Sequence, residues 1–309
     1  VLSEGVMSPA LLDDWEASVL HYGYRTRDTP SPRLVADLTA ELADLRLAMG
    51  RHRSASALPR LALAAACMSG MVCLTLIKAG DRQAWRRWGR TARHAATEAA
   101  DGPALAWTTA QEAYGYYYAG DMPGAVACAR SALGATRAPS VGRALAAALE
   151  MRAHAAMGDS RAAMQALSTA EQTHERLSGA ALAASAFGYA ESQLRFHAGD
   201  ALTQLGDTAE ARTELDRALE LCSPDDYTDW ALIRLDQAAC VVRDGDADAG
   251  IGYAASTLLS LDGAKRQGII TTRARDLLAG LTPAQQASRA AREFGGLLGD
   301  TTGTKETPA

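Results

Sequence analysis

Residues 116–133, YYYAGDMPGAVACARSAL, decide how the chain is read. An aromatic run ends in Ala-Gly-Asp, and an alanine-rich run starts directly after it. Glycine reaches the left-handed conformation that closes a helix, and aspartate accepts hydrogen bonds from the first free N–H groups of the next one. The stretch therefore predicts helix, tight turn, helix. The Gly-Asp pair recurs at Gly80-Asp81, Gly120-Asp121, Gly158-Asp159, Gly206-Asp207 and Gly245-Asp246, at intervals of 40, 38, 48 and 39 residues. Five positions after four of these glycines stands a small residue: Ala125, Ala163, Ala211 or Gly250. Small residues there let two antiparallel helices approach closely. One such pair cannot bury its apolar face alone, so pairs must stack.

The flanks read as helices too. Ser8 with Pro9, and Ser31 with Pro32, are cap and first-position signals, and Gly23 closes the first of these helices. No segment shows the alternation of a strand. The expected organisation is an all-α chain. It has an N-terminal helical flank (1–57), helix-pair repeats (58–262), C-terminal capping helices (263–298) and a disordered tail (299–309).

Composition sets the outer limits. The 309 residues are 48% hydrophobic and 22% charged, with a net charge of −5. That balance fits a soluble globular protein and excludes one whose whole surface seeks nucleic acid. The five cysteines form an odd set without a C-x-x-C pair, and most sit among small apolar residues. They are expected to be reduced, buried thiols of a cytoplasmic protein. Glu4 and the Asp13/Asp14 pair interrupt any signal-peptide pattern. Residues 61–77 carry no charge and would span roughly 26 Å as a helix, at the lower limit for a bilayer. Alanine, serine, glycine and threonine dilute the stretch, which reads as a helix buried in the stack rather than a membrane span.

Chemical motifs are sparse. Asp225, Asp226 and Asp229 make the D-D-x-x-D pattern by which all-helical terpenoid synthases hold magnesium. The pair follows Ser223-Pro224, however, where acids at a helix start are expected. The six histidines are scattered, and no G-x-S-x-G, phosphate loop or dinucleotide fingerprint appears. The expectation is a non-enzymatic protein without metal or cofactor. Between 81 and 95, Arg82, Arg86, Arg90 and Arg93 share one helical face, with Trp85 and Trp88 towards another. Such a stripe can grip phosphates. In an acidic chain the solvated-face reading is preferred, with the tryptophans packed inward.

The spacing resembles the tetratricopeptide repeat, whose unit is 34 residues with small residues at fixed places. Gln193 to Pro224 fits best, with Gly199, Ala211 and the Ala218-Leu219 pair. The unit around Gly80 departs, since Trp85 takes the small position. The resemblance covers roughly residues 58–260 and implies a right-handed superhelix of antiparallel helix pairs, a tetratricopeptide-like α-solenoid. It further implies that the first helix of each pair lines a concave groove. Trp107, Tyr114, Tyr117 and Tyr118 would face that groove, with Lys78, Arg152, Phe196, Asp200, Gln204 and Arg243 from neighbouring pairs. Tyr116 would pack inward. An aromatic wall with basic neighbours suits a peptide or a flat organic ligand; alternatively, the rings fill the groove themselves.

LLDDWEASVLHYG (11–23), LVADLTAELADLRLAM (34–49) and the terminal TTRARDLLAGLTPAQQASRAAREF (271–294) resemble the repeat region of bacterial regulators that carry an Xre-type helix-turn-helix domain. The resemblance implies a sensory or dimerising module that recognises a peptide, a small signal or a protein partner, and it allows a homodimer. The DNA-binding domain itself is absent from the sequence, so DNA binding is not carried over. The alternative is an all-helical small-molecule-binding protein or enzyme using the same cavity.

Overall fold

The computed structural model describes residues 9–51, 54–81, 83–223 and 225–300. Ser8, Arg82 and Pro224, each given a role above, lie outside the described residues, as does the tail from 301. Among the described residues there are fifteen α-helices, two short 3-10 turns and no strand, so the chain is all-α. It divides into two compact units, Val1–Ala190 and Glu191–Ala309.

The first unit holds α1 (Pro9–Arg25), α2 (Ser31–Arg51), α3 (Ala57–Lys78), α4 (Ala84–Glu98), α5 (Gly102–Tyr118), α6 (Met122–Ala135), α7 (Val141–Ala156) and α8 (Ser160–His174). Helices α3 and α4, α5 and α6, and α7 and α8 pack as consecutive pairs, and α5 also packs against α3 and α7. Helix α3 is the one described helix long and apolar enough to cross a membrane. In this fold, 67% of its most apolar window is buried inside the protein. Leu61, Met68, Met71 and Val72 are sealed beneath α1, α2, α4 and α5.

The second unit holds α9 (Glu191–Leu205), α10 (Thr208–Leu221), α11 (Tyr227–Arg243), α12 (Ala247–Leu259), α13 (Ile269–Ala279), α14 (Pro283–Gln286) and α15 (Arg289–Asp300). Helices α9 and α10, and α11 and α12, again pack as pairs, while α15 closes against α12 and α13. Leu235, Ile251, Leu258, Ile270, Phe294 and Leu298 form its core. Gly299 and Asp300, expected to begin a disordered tail, instead complete α15.

The turns explain the pairing. The glycines of these five turns, Gly80, Gly120, Gly158, Gly206 and Gly245, have φ between 78° and 104°. In each, the glycine N–H and the following aspartate N–H close back on carbonyls of the last turn, as Gly120 does on Tyr117 (3.0 Å) and Asp121 on Tyr116 (3.0 Å). The aspartate side chain then accepts from the next helix, for example Asp159 Oδ1 from the Ala162 N–H at 3.0 Å. A sixth turn, at Ala100-Asp101, has the same form with alanine in the left-handed position (φ 54°), and Asp101 caps α5. Sequence reading missed it because the glycine marker is absent. The small positions Ala125, Ala163 and Ala211 are buried, as close helix approach requires. Helices α5 and α7 also meet closely at Gly142, where a Cβ would lie 2.3 Å from the Trp107 backbone nitrogen.

The 48-residue interval has a structural cause. Between α8 and α9 the chain does not turn directly. Residues 175–190 run back over the first unit, where the Ala186 N–H donates to the Gly23 carbonyl at 2.9 Å and Arg27 donates to the Ser185 carbonyl at 3.2 Å. The boundary between the two units follows immediately, inside the region expected to be one continuous repeat array.

Candidate functional site

The predicted groove residues fall into two sets, one in each unit. In the first unit, Tyr114, Tyr117 and Tyr118 sit on the last turns of α5, and Arg152 sits on α7. The Tyr114 and Tyr118 ring centres are 4.8 Å apart, and those of Tyr117 and Tyr118 are 5.3 Å apart. Arg152 is fully buried, with its guanidinium 4.3 Å from the Tyr117 ring centre and 5.6 Å from that of Tyr118. Its Nη2 also donates to the Tyr118 hydroxyl at 3.4 Å. A buried cation needs compensation, and two aromatic faces with a hydroxyl supply part of it. Tyr114 and Tyr117 are each only 6% exposed, so these rings pack on one another and on Arg152. Tyr118 is the half-buried member.

Trp107 and Phe196, also expected in the groove, are core residues as well. Trp107 is 4% exposed, its indole N–H donates to the Ala186 carbonyl at 2.8 Å, and the Phe187 ring lies 4.9 Å away. The segment 175–190 covers it, which a position template for regular repeats does not anticipate. Phe196 is 1% exposed. Lys78 donates to the Thr26 carbonyl at 3.1 Å. Tyr116 is half-buried and packs edge-on to Trp85 of α4 at 5.3 Å.

The arginine stripe of α4 is also partly engaged. Arg86 stacks over Trp85 at 4.6 Å, and Arg93 pairs with Glu112 at 2.8 Å. Arg90 is exposed. Arg82 lies outside the described residues. Of the D-D-x-x-D acids, Asp226 caps α11 by accepting from the Asp229 N–H at 3.2 Å, and Asp225 is exposed. Among the described residues, no three His, Cys, Asp or Glu side chains are grouped to hold a metal ion. None of the five cysteines is joined in a disulfide. Burial pushes Cys67 and Cys128 up to about 12 and raises Cys73 and Cys240 as well, so these four thiols stay protonated and unreactive at neutral pH.

The second unit contains a cavity with charged lining residues. It measures about 270 Å³ and is lined by Thr203 and Gln204 of α9, by Leu235, Asp236, Ala239, Val242 and Arg243 of α11, and by Arg273, Asp276, Leu277 and Gly280 of and just beyond α13. Its floor is ionic. Arg273 Nη1 donates to Asp236 Oδ1 at 2.6 Å and also to Asp200 Oδ1, and all three side chains are buried. Thr203 donates to the Gly199 carbonyl at 2.7 Å and so stands fixed on its helix. Arg243 and Asp276 are exposed at the rim.

Of the residues expected in the groove, Gln204 and Arg243 thus line this cavity, and Asp200 anchors its floor. Asp236, Arg273 and Asp276 were not foreseen. Asp236 carried a signal: in LIRLDQAAC it is an acid on the same helical face as Leu232, Leu235 and Ala239. Arg273 carried none, since its partners lie 37 and 73 residues away.

No protein-family model matches the chain, and a search of curated proteins finds no match. Among solved structures, the crystal structure of BtubC (BKLC) from P. vanneervenii is similar. The TM-score is 0.50 and the identity 20%, over 83% of this chain and 95% of that one. At that identity the likeness is one of fold alone.

Proposed function

We propose that the chain is a recognition module of tetratricopeptide type, of the kind found in bacterial transcriptional regulators, which binds a small signal or a peptide through the first helices of its pairs. The observation that carries this reading is the composition of the cavity wall. Every lining residue belongs to α9, α11 or α13 or directly follows α13, and none comes from the second helices α10 and α12. That is the division of labour expected of helix-pair repeats, in which one helix of each pair supplies the binding face. Buried ionic floors are expensive to form and bring little net stability, so a recognition role gives Asp200, Asp236 and Arg273 a reason to be there.

The test is a thermal-shift screen of metabolites and short peptides, repeated on Arg243→Ala and Asp276→Asn. A native-state ligand raises the melting temperature by mass action. Shifts that shrink in the variants support the cavity as the recognition site. Shifts of unchanged size in both variants would place recognition elsewhere and refute it.

A further inference from the structure

The chemistry of the cavity narrows what it can hold. Four of its lining groups are charged: Asp236 and Asp276 against Arg243 and Arg273. Asp200, bound to Arg273 from behind, makes three carboxylates to two guanidiniums, a sum of −1 at one small site. The two arginines are not equivalent. Arg273 is fixed between two carboxylates in the floor, whereas Arg243 is exposed at the rim and makes no hydrogen bond or ion pair with another described residue. Gln204, half-buried in the wall, likewise makes no hydrogen bond with another described residue, so its amide offers a donor and an acceptor. Between these polar groups, Leu235, Ala239, Val242 and Leu277 form a short aliphatic wall.

Size is the second constraint. At about 270 Å³ the cavity falls just below the range of roughly 300–1,000 Å³ typical of drug-sized ligands. It suits a molecule of amino-acid size. A simple anion would meet the excess of carboxylates, and a simple cation would leave the rim guanidinium unused. A molecule carrying both charges on one short aliphatic body meets each requirement. Its carboxylate goes to Arg243 and the Gln204 amide, its chain lies along the leucines and valine, and its ammonium goes to the carboxylates of Asp236 and Asp276 in the lining. Charge-assisted hydrogen bonds of this kind are among the stronger ones available to a small ligand.

We infer that the cavity binds a small zwitterion, an aliphatic amino acid with a free ammonium and a free carboxylate. The inference rests on the recognition reading above and names the ligand class for the same site. Three probes of matched length separate the classes: 5-aminopentanoate, 1,5-diaminopentane and glutarate, alongside L-leucine as an α-amino acid. Each is titrated into the full chain by calorimetry and by thermal shift.

The expected result is saturable binding of 5-aminopentanoate, L-leucine or both, at least tenfold tighter than the diamine and the dicarboxylate. Arg243→Ala and Asp276→Asn each weaken that binding at least tenfold. Both positions are exposed, and unchanged circular dichroism and melting of the ligand-free variants confirm that the fold is kept. If the diamine or glutarate binds as tightly as the zwitterions and the variants abolish it, the zwitterion assignment is overturned while cavity recognition stands. Binding unaffected by either variant overturns both. Absence of saturable binding by either zwitterion at millimolar concentration also overturns the assignment, and the wider screen then decides the recognition reading separately.

Discussion

Ala100 bears a cost its neighbours avoid. Five helix-closing turns place glycine in the left-handed region, and the sixth places alanine there at φ 54°. A Cβ in that region costs about 1–2 kcal/mol, while glycine adds some unfolded-state entropy, about 0.5–1 kcal/mol. Ala100→Gly is therefore expected to stabilise the chain by up to about 1 kcal/mol, read as a rise in the denaturant midpoint at constant slope. A lower midpoint would show that the turn is not strained. Tyr117 poses the opposite case. At 6% exposure, with Arg152 stacked 4.3 Å from its ring centre, it belongs to the packing of the first unit. Tyr117→Ala should cost about 3–5 kcal/mol, as buried aromatic truncations do. Loss of less than about 1 kcal/mol in urea unfolding would return the ring to a role at the surface. Single-residue signals were thus legible where they act locally. Each Gly-Asp pair specifies its own turn, whereas the burial of Tyr117 depends on an arginine 35 positions away.

At the scale of the helix, termini and faces behave differently. Asp81 accepts from the Gln83 and Ala84 N–H groups at 2.9 and 2.8 Å, and those hydrogen bonds hold its carboxyl below the ordinary aspartate value. The sign follows from linkage. A carboxyl with a depressed folded pKa contributes stability above its unfolded value, about 3.9. That contribution is lost as pH falls through the lower folded value. Asp81→Asn keeps the shape and lacks the titration, so wild type should exceed the variant most at neutral pH and converge with it in acid below about pH 3. Chemical denaturation of both proteins across that range measures the gap, and a constant gap would disprove the linkage. Helix faces were harder to read. Position within a regular unit assigns Trp107 and Phe196 to a groove, yet segment 175–190 covers Trp107, and Phe196 is only 1% exposed. Regular spacing cannot announce an irregular segment that folds back 79 residues to meet an indole. The same distance hides the floor of the cavity. Asp200, Asp236 and Arg273 come from three helices, and no window of sequence shows all three.

At the scale of the whole molecule, the division after Ala190 makes a prediction about autonomy. Every residue lining the cavity, and Asp200 behind its floor, lies beyond that point. The second unit also has its own apolar core, running from Ala231 through Leu258 and Ile270 to Phe294 and Leu298. Its length, about 120 residues, is in the usual range for a domain that folds alone. Residues 191–309 expressed separately are therefore expected to give a strongly helical far-UV spectrum and one cooperative melt. They are also expected to keep the ligand response of the full chain, including its loss in Arg243→Ala. The first unit's Tyr117 and Arg152 should have no effect on that response, since neither contributes an atom to the cavity. A fragment that is helical but melts without cooperativity would mean that the core of the second unit does not suffice to fix α9, α11 and α13. A fragment that folds cooperatively yet fails to bind what the full chain binds would mean that recognition needs more than the eleven lining residues. The two failures are separable, because the melt reads the core and the ligand-induced shift reads the site.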